Sequence, residues 1–138
     1  MRGLSYWFFL SATIYVTAGM FLGIGMAASG DHTLASAHAH LNLVGWVSMG
    51  LYALFYHARA DVAEWRAGKV HFVLATLGLW TMVPGIALAV RGRGEGLAVA
   101  GSLATLASML LFVGIVISAG LSSRTLSLER ATAVPDAG

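Results

Sequence analysis

The stretch SAHAHLNLVGWVSMGLYALFYH, residues 36–57, holds two histidines, His38 and His40, two positions apart in a run without a charged residue. Only 10% of the chain's 138 residues are charged and 58% are hydrophobic. An ordinary soluble domain carries roughly 25% charged residues. The charges are also segregated: residues 3–30, 33–57, 70–90 and 96–123 contain no Lys, Arg, Asp or Glu. Each run is long enough to cross a hydrocarbon core, which takes roughly 20 apolar residues. The pattern predicts an all-α chain: an integral membrane bundle of four transmembrane helices over residues 6–28, 34–56, 70–90 and 97–121. Together they form one domain, residues 1–121, followed by a flexible polar tail, residues 122–138. A signal peptide is the alternative reading of the first run, but that run is longer than the 7–15 apolar residues such a segment uses.

The chain has no cysteine, so disulfides, thiolate metal sites and iron–sulfur clusters are excluded. The sequence pI of 9.4 fits membrane anchoring, and the scattered basic residues form no nucleic-acid patch. Six of the eight Lys and Arg fall at the N-terminus, in the loop 57–69 or in the tail, and Arg91 and Arg93 fall on the other side. The positive-inside rule then places both termini in the cytoplasm. His38 and His40 would lie one to two turns inside the outer face, in what we expect to be a bacterial inner membrane.

An α-helix turns about 100° per residue, so positions two apart point about 200° apart. His38 and His40 should therefore face opposite flanks of one helix and serve two sites. If copies of the chain form a ring, His38 of one copy faces His40 of the next. Two opposed imidazoles across a flat pocket are what a bis-histidine haem requires. Asn42, four residues past His38, would orient a ring N–H, and Gly45 would let a porphyrin edge lie against the backbone. Another metal, or imidazoles bonded only to water and carbonyls, remain open readings of the same spacing.

The string AHAHLNLVGWVSMGLYALFYH, with KVHFVLATLGLWTMVPGIALAVRGR after a short loop, resembles the tenth and eleventh helices of the heme-copper oxidase subunit I family. The shared features are His38 and His40, His57, the KVHF at 69–72, Pro84, and Arg91 with Arg93. The resemblance implies that the two histidines ligate haems on opposite flanks, and that Arg91 and Arg93 hold haem propionates. The family's main subunit has twelve helices in three pseudo-repeats of four. One chain is thus similar to a single repeat, and a homotrimer would rebuild the ring with haem b at each interface. The family's copper-site motifs are absent from this sequence, so an oxidase activity stays uncertain.

Three functions follow as expectations. The first is a b-type haem protein for electron transfer with an unknown redox partner. The second is a gas-binding or nitric-oxide-reductase-like enzyme with an open iron. The third is a copper-binding or accessory subunit using His32, His38 and His40. His32 is expected to be a solvated loop residue, His57 to cap its helix, and His71 to anchor at the interface. Tyr6, Trp7 and Trp65 read as an aromatic belt. Trp46 and Trp80 read as core residues, with contact to a macrocycle as the alternative.

Overall fold

The structure, a computed structural model, describes residues 1–132, with side chains through residue 122. The described residues are helical throughout apart from turns. Helix α1 spans Gly3–Ser29, and Gly30, in the left-handed region at φ 69°, ends it. Asp31 then folds the turn: Thr33 donates to its carboxylate from both backbone N–H (2.9 Å) and hydroxyl (2.5 Å). These bonds hold the Asp31 carboxyl below its ordinary range.

The histidine-bearing stretch forms a continuous helical run in three parts. Helix α2 spans Ala35–His40, a π-helical segment spans Leu41–Ser48, and α3 spans Met49–Ala58. A one-turn helix, α4 (Ala60–Ala63), leads into α5, Arg66–Ala89. Arg59 grips Asp61 at this corner with one guanidinium edge, Nε donating to Oδ1 at 3.0 Å and Nη2 to Oδ2 at 2.8 Å. The tight turn Val90–Glu95, with Gly92 and Gly94 at positive φ, reverses the chain into α6, Gly96–Thr132.

Three helices are long and apolar enough to cross a membrane: α1, α5, and α6 over Gly96–Ser122. Their outward residues, such as Phe21, Leu77, Leu103 and Leu110, are exposed and apolar, as a lipid-facing surface requires. Two differences from the expected spans have physical reasons. Helix α5 starts at Arg66 rather than residue 70, because α4 closes the turn early. Helix α6 runs past residue 121 to Thr132, so residues 122–132 of the expected tail are helical; between 121 and 132 the sequence holds neither Gly nor Pro. Residues 133–138 of the expected tail lie outside the described residues.

Helices α5 and α6 form the most extensive contact in the fold, and glycine makes it possible. A Cβ on Gly85 would meet the backbone of Leu97 and Ala98, and one on Gly101 would meet the backbone of Met82. Nearer the other end, Thr105 Oγ1 stands 2.7 Å from where a Cβ on Gly78 would lie. The chain thus crosses antiparallel with backbones nearly touching, as small residues permit between membrane helices. The expectation that most glycines serve packing fits these positions.

Helix α1 packs along α3 and the π segment. The Trp80 indole N–H donates to the Tyr15 hydroxyl at 2.9 Å and ties α5 to α1. Tyr15 lies midway along α1, a helix long enough to cross a membrane, so Tyr15→Phe leaves the indole N–H facing hydrocarbon without a partner, and we expect a loss of about 1–3 kcal/mol in thermal unfolding in detergent.

Candidate functional site

The chain ends sort into two groups in space. Arg2 shares a pocket with His57 and Glu64, while the charge of Arg91 is felt at Asp31 across the opposite end. His38 and His40 belong to the second end, just after the Asp31 turn. Arg91 and Arg93, both exposed, are therefore at the same end as the two histidines.

Within α2 the two rings take different surroundings. His38 is half-buried against α1: its Cε1 lies 3.0 Å from where a Cβ on Gly23 would stand. Asn42 lies one turn on, against Gly19 of α1, where a Cβ would fall 2.5 Å from Asn42 Oδ1. Gly19 and Gly23, four residues apart on α1, thus receive Asn42 and His38, four residues apart on the facing helix. Gly23→Leu should drive the His38 ring out of this seat. In a haem-loaded protein the check is a changed Soret band, with the helical circular dichroism retained.

His40 points away from that seam. Its Nδ1 lies 2.8 Å from the Ser36 carbonyl oxygen. A carbonyl only accepts, so Nδ1 carries the proton and Nε2 keeps a free lone pair. Through the π segment residues four apart share a face, so Val44 and Ser48, half-buried like His40 itself, follow His40, and the exposed apolar stripe Leu43, Val47, Leu51 and Leu54 runs beside them. His40 thus flanks an outward apolar stripe. Phe9, Trp46 and Gly50 add to the lower part of that face, around a shallow groove of about 220 Å³. Trp46 is half-buried beside Phe9, while Trp80 is 66% exposed, so it is not the core residue the sequence suggests.

Two expected site residues take other roles. The Asn42 amide donates to the His38 carbonyl oxygen at 2.8 Å and stands 3.4 Å from both ring nitrogens. The short bond is the directed one; the amide touches the ring without orienting one particular nitrogen. Gly45 is buried, with Tyr15 Cβ and Leu79 Cδ2 each 3.0 Å from where its Cβ would lie. Its space is filled from within the chain, so no porphyrin edge lies there. The π segment explains the change: an i→i+5 turn holds more residues than an α turn, so Gly45 rotates away from the line of His38.

The copper grouping is not assembled. His32 Nδ1 turns back to the Gly30 carbonyl oxygen at 3.1 Å, and α2 is regular helix at both other histidines. Among the described residues no three His, Asp or Glu side chains are placed to hold a metal together. His57, in the last turn of α3, is exposed.

His71 departs furthest from expectation. It is not at the interface but fully buried, 0% exposed, in an aromatic cluster. Phe112 stacks on its ring at 5.0 Å and 21°, Tyr52 meets it edge-on at 4.5 Å, and Phe8 lies at 5.2 Å. Its Nδ1 is 2.9 Å from the Tyr56 hydroxyl. The signal was present in the sequence: Gly68, His71, Ala75, Gly78, Met82 and Gly85 recur at spacings of three and four and form the buried stripe of α5.

No family profile, curated protein or solved structure matches the chain.

Proposed function

We propose that the chain is a membrane b-type haem protein, in which copies of a four-helix unit join as a ring of three with haem at each interface. Residues 35–58 supply the fourth crossing, and both termini face the cytoplasm. The carrying observation is His40. A half-buried imidazole with its Nδ1 proton fixed and its Nε2 lone pair free, set beside an exposed apolar stripe, needs a partner that lipid does not offer. The same Nδ1–H···O=C arrangement orients histidines that ligate metals. A second copy, through its own His38, supplies the opposite imidazole, since His38 and His40 lie on different flanks of the helix.

Arg91 and Arg93 suit the propionates at the same end, through charge-assisted hydrogen bonds. Asn42 and the glycines of α1 set the position of His38, and Gly45 has no part in the site. Bound between two imidazoles, haem iron supplies one-electron transfer and no open position for substrate. The resemblance to a heme-copper oxidase repeat supports this reading but leaves the redox partner open.

One observation favours a second reading. His38 is tucked against Gly23, whereas His40 is free. If His38 keeps that seat, only His40 reaches the iron, and the open face binds a diatomic gas. Absorption spectra of the oxidised, reduced and carbon monoxide-treated protein in mild detergent separate the two. Sharp reduced bands unmoved by carbon monoxide are the expected result. A carbon monoxide shift selects gas binding, and the absence of a Soret band after growth with haem precursor removes both.

A further inference from the structure

The His71 cluster at the other end is independent of the haem reading. His71 Nε2 is buried and has no hydrogen-bond partner among the described residues. Ser108 Oγ is in the same condition, in a side chain only 2% exposed. These two orphans come from facing helices. Phe112 of α6 stacks on His71 of α5, and Thr105 of α6 meets Gly78 of α5. Ser108 lies between Thr105 and Phe112 on the same face of α6, and so opposite the turn that follows His71. There α5 presents Ala75, a small side chain. Thr105 Oγ1, one turn further along the seam, is also unpartnered. Buried polar groups are bonded in the great majority of cases, by protein or by ordered water. Polar orphans in succession along a seam of small residues are the setting in which buried water is found.

The other nitrogen of His71 leads outward. Its partner, the Tyr56 hydroxyl, belongs to a side chain that also lines a pocket of about 400 Å³ at the end of the fold. Arg2, His57 and Glu64 line the same pocket, which is large enough for several waters. Tyr56, itself only 1% exposed, thus lies between that pocket and His71. Among the described residues the aromatic neighbours of the ring are Phe8 of α1, Tyr52 and Tyr56 of α3, and Phe112 of α6.

We propose that a water molecule is built into the α5–α6 seam between His71 Nε2 and Ser108 Oγ, and that the Arg2–His57–Glu64 pocket, Tyr56 and His71 form a relay by which this water exchanges protons with solvent, one proton leaving for each that enters. A hydroxyl both donates and accepts, so Tyr56 passes a proton by giving up its own and taking another. The imidazole does the same between its two nitrogens, and no oxidant or metal is required.

Solid-state NMR of the full chain, labelled with 15N-histidine in lipid bilayers, tests this. His71→Phe identifies the His71 ring signals; His71→Asn serves should that variant not fold. We expect water magnetisation to reach the His71 ring, and its shifts to follow bulk pH. Transfer should slow several-fold in Ser108→Ala and in Tyr56→Phe, with the other histidine signals unmoved. A ring that receives no water magnetisation, or is silent to pH wherever the protein stays folded, overturns the proposal. Slowing in Ser108→Ala alone keeps the water and overturns the path through Tyr56. Slowing in Tyr56→Phe alone overturns the seat at Ser108, and slowing in neither overturns both.

Discussion

His40→Ala abolishes haem retention, and so does His38→Ala, yet the two variants expressed together recover part of it. This is the expected result if each iron lies between His40 of one copy and His38 of the next. In a mixed ring, a His38→Ala copy still offers His40, and a His40→Ala neighbour still offers His38. One intact site forms where those two meet in the right order. A site built within one chain has no such remedy, because each variant lacks a ligand in every copy. The effect is large because lipid cannot replace the missing imidazole. Retention of haem at the wild-type level by either single variant excludes shared ligation. Recovery of about a third of the sites is the upper bound in a cyclic trimer, since a heterologous ring of two variants has one productive junction. The measurement is the haem-to-protein ratio of singly and doubly tagged, copurified complexes.

Gly85→Ala and Gly101→Ala destabilise the α5–α6 hairpin more than any other single-methyl change in the described fold. At both positions the added Cβ meets backbone of the facing helix. Backbone does not rotate aside as a side chain can, so the helices must separate and lose contact along the seam. Overpacking costs about 1–3 kcal/mol and occasionally more; these two belong at the upper end or beyond. Gly114 provides the control: it is helical, and nothing lies within 4 Å of the position its Cβ would take. Gly114→Ala should be neutral or stabilising by up to about 1 kcal/mol, from helix propensity alone. Thermal unfolding in one detergent, followed by helical circular dichroism, checks all three.

The opposition of His38 and His40 was legible because it needs only the helical repeat, and α2 is regular where both residues sit. Asn42 was placed correctly on the face of His38, four residues on. Gly45 was misread because nothing in LNLVGWVS announces a π segment: widening of the turn is decided by packing against α1 and α5, not by local preference. His71 was misread because it opens its helix beside Lys69, and a charge there, like Arg66 before it, suggests a membrane surface. Those two begin α5, but His71 falls on its small-residue stripe, and the aromatic residues around it come from α1, α3 and α6. Three of the four charge-free runs coincide with helices long enough to cross a membrane, while the run 33–57 is divided into α2, the π segment and α3, and helix ends moved with α4 and with the extension of α6. How copies would meet is written only indirectly, in an imidazole beside an exposed apolar stripe.

Native mass spectrometry of the complex released from detergent tests the central claim most directly, because it reads chains and haems in one particle. The account predicts three chains carrying three haems, with haem and trimer lost together in His40→Ala. A single chain that keeps its haem, or a stable oligomer purified after growth with haem precursor that carries none, would contradict it.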